Sequence, residues 1–418
     1  LCGFLHGFIA VQFHFDERSQ SSYIVTTLVY NDFATADDKS KKDLNQLNKY
    51  RLLFPATSGF VSNNQSEVVA VTTSELKTLL AQGQHLNEQL HLRRKKTLRY
   101  PEAAYLLLVL FLSLENLAAE DGSRLLNLST CVPSGDALLQ QLKKLRLDEV
   151  VAQLDQVYLR QFKRRFRQRK RPRVIAIIDV HEQETYTKHK RTSPDVRGGK
   201  HKNGTNYFFH FVTLQIMRGE QLLTLSVRLH RREESLRDLV VALVRHAQQH
   251  VRIEVLLLDR GFRDVTLLNE LEFLNVPLLM PAFSDDRTRR ALAERFASRR
   301  WAFRNAKCEY ADVTLPDGSH VGFYTTLRGT GRHPMQYYLD LYAKRWNIET
   351  GYRVQNQFLP KTTCVRGSVR LFYFSYAVAM HNLWLCLKAT AERPVKFTVA
   401  FMKHLLRYAL PWFTIDPG

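Results

Sequence analysis

The spacing of apolar positions along the chain changes character near Pro172. Upstream the pattern is largely helical. Thr72 and Glu75 carry the Ser/Thr-x-x-Glu spacing in which each side chain caps the other's backbone amide, and this predicts a helix start. Pro101 suits a first helical turn leading into the apolar run Ala103 to Leu117. After Pro133-Ser134, two further helical stretches follow: Ala137 to Leu147, with leucines on one stripe, and Val150 to Phe166. Residues 1 to 70 give mixed signals, with a polar stretch from Ser58 to Ser66 that reads as a loop.

Downstream the period becomes extended. Val174 to Val180 is an apolar, β-branched run fit for a buried strand, and Tyr207 to Ile216 and Leu222 to Leu229 read as two more strands around a turn at Gly219. Ser235 to His246 is helical, Ile253 to Leu258 a buried strand and Val265 to Leu274 a helix. Val276 to Met280 is a short strand whose Pro277 suits its first turn or a sheet edge. The order is β-β-β-α-β-α-β, with a helix-rich remainder after residue 335. Asp285 to Gly331 interrupts it with an Arg-rich helix and then an alternating stretch, Trp301 to Leu327, around the turn Pro316-Asp317-Gly318. The aromatics of Val369 to Ala389 (Phe372, Tyr373, Phe374, Tyr376, Trp384) read as core packing. The chain thus divides into an unassigned segment (1–70), a helical domain (71–170), an α/β core (171–284 and 332–392), an insertion (285–331) and a C-terminal tail (393–418).

Charge narrows the partner. With 61 Lys+Arg against 40 Asp+Glu, the formal charge of +21 favours a polyanion, nucleic acid ahead of an anionic membrane. The density peaks from Arg160 to Arg173, where Arg164, Arg165 and Arg167 are candidates for DNA-backbone contact; the bland alternative is a solvated linker. Lys188 to Lys202, including Gly198-Gly199-Lys200, is a second basic stretch, a loop in which Lys200 is a candidate phosphate contact. The cysteines (Cys2, Cys131, Cys308, Cys364, Cys386) lack zinc-site spacing and read as reduced thiols. The longest apolar run, Ala103 to Leu112, falls short of the roughly 20 residues a bilayer span requires. Leu1 to Phe15 lacks a basic leader, so a cytoplasmic protein is expected.

Three carboxylates stand out. Asp179 closes an apolar strand, where a charge is costly unless it meets a cation or reaches the sheet edge, although an Asp there is often only a turn former. Asp259 repeats that placement 80 residues on, at the loop Asp259-Arg260-Gly261-Phe262, and ligands gather at the carboxyl ends of strands in open α/β sheets. If the first and fourth strands are neighbours, both side chains converge. Glu349 sits on a helix expected from Met335 to Gln357, on one face with Tyr342 and Arg345; on its own that is also the pattern of an ordinary intrahelical Arg-Glu pair. Such hard oxygen ligands suit Mg²⁺ or Mn²⁺.

Together these residues resemble the DDE transposases of bacterial and archaeal insertion sequences, of the type marked by Tyr-x2-Arg-x3-Glu-x6-Lys. Tyr342, Arg345 and Glu349 match its first three members, Asp259-Arg260-Gly261-Phe262 resembles the second-aspartate motif, and Asp179 occupies the first-aspartate position. Asn356 stands where the family has its Lys, with Lys361 a nearby substitute. The resemblance implies a ribonuclease-H-like mixed sheet flanked by helices, with a β-rich insertion and an all-helical N-terminal domain. It implies catalysis by Asp179, Asp259 and Glu349 on two Mg²⁺ (or Mn²⁺) ions. The substrate implied is double-stranded DNA, both inverted-repeat ends and target, with a homodimer on paired ends in a prokaryotic, nucleoid-associated setting. Arg260, Arg345, Lys361 and Tyr342 would contact DNA, and Trp301 is a candidate to stack on a flipped base, a buried core Trp being the commoner role of such a residue. A catalytically inactive DNA-binding descendant and a structure-selective nuclease on the same core are the alternatives.

Overall fold

The computed structural model describes residues 7–15, 23–31, 68–72, 81–83, 85–92, 99–166, 171–188, 191–282, 309–314, 320–327, 335–389 and 397–410. Two compact units divide the chain: residues 1–82 with 393–396, and 83–392 with 397–418. In the first, β1 (Gly7–Phe15), β2 (Tyr23–Asn31) and β3 (Val68–Thr72) form an antiparallel sheet in the order β2-β1-β3. The helix start expected at Thr72 is not formed, since Thr72 pairs with Phe8 as the last residue of β3. Val68, Val69 and Val71 before it are β-branched and fit a pleated surface, which outweighs a local capping pattern. Glu75 and the stretch Ser58 to Ser66 lie outside the described residues.

The second unit opens with four helices: α1 (Glu102–Glu115), α2 (Ala119–Leu126), α3 (Gly135–Leu142) and α4 (Leu147–Phe166). Asn116, left-handed at φ 51°, ends α1, and the Ser134 hydroxyl caps α3 by accepting from the Ala137 amide. The boundary expected near residue 170 does not separate two bodies. Tyr158 and Gln161 of α4 donate to the carbonyls of Ser375 (2.8 Å) and Ala379 (2.9 Å), and Ser113 of α1 donates to Phe358 (2.6 Å). The apolar stripes of these helices are buried against the rest of the unit, so from Gly83 onward they belong to the body that holds the large sheet.

That sheet has eight strands: β4 (Arg173–Glu184), β5 (Arg197–Lys202), β6 (Thr205–Arg218), β7 (Gln221–Leu229), β8 (Arg252–Leu258), β9 (Leu278–Pro281), β10 (Glu309–Thr314) and β11 (His320–Thr325). Its order is β10-β11-β9-β8-β4-β6-β5, with β7 also pairing β6. The β4–β8 and β8–β9 pairs are parallel and the others antiparallel, which makes the mixed sheet of a ribonuclease-H-like core. Two details differ from expectation. Arg197–Lys202, read as a loop, is an edge strand held by backbone pairing, its side chains almost all exposed. The β10–β11 hairpin of the expected insertion joins the core sheet by pairing β11 with β9.

Alternation along β4 sorts the two faces. Val174, Ala176 and Ile178 join the core formed with α5 (Leu236–His250), α6 (Val265–Phe273) and the end of α4. The opposite face carries Asp179 and His181. It is covered by α8 (Trp346–Gln355) and α9 (Gly367–Lys388), with Phe211 stacked on Phe374 at 4.1 Å and His181 lying 4.6 Å from Tyr352. Phe372, Tyr373, Phe374 and Tyr376 of α9 are buried, in keeping with core packing. Two further helices are α7 (Met335–Ala343), which precedes α8, and α10 (Val399–Ala409).

Candidate active site

Asp179 is not at the end of β4, which runs on to Glu184; it stands where the parallel partner ends. The last β4–β8 pair is Ile178 with Leu258, so Asp179 and Asp259 are the next register step on adjacent strands. Neighbouring strands lie only about 4.8 Å apart, which brings two acids from distant sequence together. β8 leaves the sheet at this point because Asp259 caps a single 3-10 turn, Arg260–Phe262, accepting the Arg260 amide at 2.8 Å. Gly261 is not in the left-handed region, and a Cβ there would meet nothing closer than 3.9 Å, so the turn does not depend on glycine.

The helix expected from Met335 to Gln357 is two helices, broken at Lys344–Arg345. The break puts Glu349 in the first turn of α8, where free backbone amides favour negative charge. Arg345 is buried between the acids: Nη1 is 3.4 Å from Asp179 Oδ1 and Nη2 is 3.5 Å from Glu349 Oε1. Charge-assisted bonds are usually about 2.7–2.9 Å, so these are loose contacts that balance charge without locking the geometry. The guanidinium also lies 5.6 Å from the centre of the Tyr342 ring and 5.9 Å from that of the exposed Trp346. Burial pushes the Asp179 carboxyl up to about 6 against the opposing pull of Arg345, and Asp259 and Glu349 push the same way. Burial lifts the Tyr342 hydroxyl to about 12. Crowded carboxylates of this kind call for a cation, and in this structure Arg345 supplies it.

The transposase DDE domain family model matches residues 137–381, more than half of the chain and inclusive of all three carboxylates. The chain belongs to the DDE transposases. Among solved structures, a piggyBac transposase synaptic complex with hairpin DNA is similar over 80% of this chain and 78% of that chain, at 14% identity and a TM-score of 0.48. No curated protein matches. The matched span takes in α4, which agrees with the packing of that helix against the core.

Members of this transposase family cut and join DNA and generally use divalent metal ions. The donor chemistry of Asp179, Asp259 and Glu349 fits such an ion. Yet among the described residues no three His, Cys, Asp or Glu side chains are close enough to hold one, and Arg345 stands between two of the three acids.

The other expected contacts of the transposase are scattered. Arg260 is exposed beside Asp259. Lys361 is exposed, while its backbone is bridged to Leu117–Ala118. Lys200 is exposed on β5, and Arg164 and Arg165 lie in the last turn of α4. Arg167 and Trp301 fall outside the described residues. Asn356 is the C-terminal cap of α8, its carbonyl accepting from Asn116 at 3.1 Å. Sequence reasoning missed Tyr352 and Thr213, whose hydroxyls meet at 2.6 Å beneath the site. The only signal for Tyr352 was its place one turn after Glu349. No helix among the described residues is long and apolar enough to cross a membrane.

Proposed function

We propose that this transposase cleaves DNA at transposon ends and joins the freed 3′ hydroxyl to target DNA, with Asp179, Asp259 and Glu349 as its catalytic carboxylates. The observation that carries the reading is the register of β4 and β8, which sets the two aspartates side by side, with Glu349 reaching the guanidinium that Asp179 holds. The three acids would hold Mg²⁺ or Mn²⁺, two ions in the full site, which when bound would activate the attacking oxygen and stabilise the leaving one. Arg345, released from Asp179 and Glu349, would turn to a DNA phosphate, for which its fork of donors is well shaped. Tyr342, whose ring centre lies 5.6 Å from that guanidinium, would contact the DNA beside it. Arg260, Lys361, Lys200, Arg164, Arg165 and Arg167 would line the path of the duplex. Trp301 would stack on an extruded base, and a homodimer would pair the two inverted-repeat ends. The setting would be the prokaryotic nucleoid.

The test is cleavage and strand joining on a plasmid carrying the cognate ends. Asp179→Asn, Asp259→Asn and Glu349→Gln should each lose at least ~100-fold in cleavage while end binding stays within a few-fold, as expected when charge stabilisation of the transition state is removed. An Asp259→Asn protein that still cuts overturns the assignment. Cutting without joined products would point to a nuclease, and tight binding without metal-dependent cutting to a binding-only descendant.

A further inference from the structure

Tyr352 lies three residues after Glu349 on α8, and the proposed chemistry does not use it. Its hydroxyl meets Thr213 Oγ1 at 2.6 Å, and Thr213 is the residue directly opposite Asp179 in the β4–β6 ladder. Both residues are buried, so this is a hydrogen bond shielded from water. The His181 ring, on the same face of β4 as Asp179, backs the Tyr352 ring at 4.6 Å, and Phe374 backs His181 at 5.2 Å.

The location matters because α8 is only ten residues long and does not continue α7. A carboxylate roughly 6 Å from a helix axis moves about 1 Å for every 10° of helix rotation. Displacements of that size are enough to cost about 100-fold in a reaction that depends on alignment. Apolar packing of the Tyr352 ring holds α8 against the sheet, but a directional bond to Thr213 also fixes its rotation and its slide along the strand.

We propose that Tyr352 and Thr213 are positioning residues, whose hydroxyl pair ties the helix bearing Glu349 to the strand beside Asp179 and so sets the spacing of the two carboxylates. The inference rests on the reading of Asp179 and Glu349 as the acids that hold the metal. It differs from that reading in predicting a change in metal affinity from residues that touch neither metal nor DNA.

The full-length chain on its end DNA is the test system, with Tyr352→Phe, Thr213→Val, the double variant and Thr213→Ser. Mn²⁺ binding to the enzyme–DNA complex is followed by loss of the free Mn²⁺ resonance signal, beside the nicking rate, end-DNA affinity and Tm. Tyr352→Phe and Thr213→Val should each weaken Mn²⁺ binding and slow nicking by about 10-fold, with end-DNA affinity unchanged. The double variant should be no worse than the poorer single one, because one bond is lost in each case. Thr213→Ser should stay near wild type. Unaltered Mn²⁺ binding in folded Tyr352→Phe, or Thr213→Ser behaving as Thr213→Val, overturns the inference. If Tyr352→Phe fails to fold, the two Thr213 variants decide alone. Asp179→Asn separates the layers: an active Asp179→Asn sinks the underlying reading, whereas an inactive one beside a wild-type-like Tyr352→Phe sinks only the positioning role.

Discussion

Arg345 holds the charge balance of the site, since its guanidinium contacts Asp179 and Glu349 and lies in the field of Asp259. Removing it leaves crowded acids without a counter-charge. Arg345→Gln should therefore bind Mn²⁺ more tightly than the wild type when DNA is absent, yet cut DNA more slowly; equal Mn²⁺ affinity in the two proteins would show that the guanidinium does not occupy the ion's place. A second residue-scale effect concerns His381, which is buried on α9 and stacked on Trp384 with ring centres 5.7 Å apart. Burial holds its imidazole down at about 4. Below the free value of about 6.5 the unfolded chain takes up a proton that the folded chain refuses, so stability is intact at higher pH and is lost as pH falls from there towards 4. The loss reaches about 3 kcal/mol for this residue alone, at roughly 1.4 kcal/mol for each pH unit separating the folded and unfolded values. Urea unfolding of the wild type and His381→Gln at pH 7.5, 6 and 5 checks it: the variant should show the shallower decline, and parallel declines would refute the account.

At the scale of elements, α4 is bound to the sheet by an ion pair between buried Asp155 and partly buried Arg228. Asp155 receives Arg228 at 3.1 and 2.8 Å and the Ser226 hydroxyl at 2.7 Å, both partners lying on β7. A buried pair adds little over apolar packing, but leaving one member alone costs about 3 kcal/mol or more. Arg228→Met should lower stability by about that amount, and adding Asp155→Leu should recover most of it. A double variant as unstable as the single one would mean that the cost lies in packing. Such pairs are invisible in sequence, because residues 155 and 228 are joined only by the fold. What was legible was whatever a local pattern dictates. The apolar, β-branched run that opens at Val174 and the apolar run Ile253 to Leu258 form the central strands, and the acid at the end of each, Asp179 and Asp259, leads to the site. β5 was not legible, since an edge strand with exposed side chains carries no alternation. The break at Lys344–Arg345 was hidden for another reason: Tyr342, Arg345 and Glu349 suit one continuous helix as well as two, and only packing decides. The Tyr352–Thr213 link needed coordinates, because it joins α8 to β6 across 139 residues.

Over the whole molecule, a charge of +21 works against compactness and for binding to DNA, and the same basic residues admit two physical explanations. Arg164 and Arg165 end α4, where cations stabilise the negative pole of a helix, and Lys200 lies on an edge strand, where charge discourages sheet-to-sheet association. If those are their only roles, removing them changes stability or solubility and leaves DNA binding as it was. If they neutralise phosphates, each releases condensed counterions, and the dependence of log K on log salt flattens by about 0.9 for every phosphate no longer neutralised. The proposed duplex path favours the second account. Arg164→Ala with Arg165→Ala should reduce the slope by about 1.8, and Lys200→Ala by about 0.9, on end DNA and unrelated DNA alike. Binding titrations from low to moderate salt give the slopes directly. An unchanged slope with a lowered Tm would assign these residues to the helix end and the sheet edge, and the excess charge would then act elsewhere on the chain.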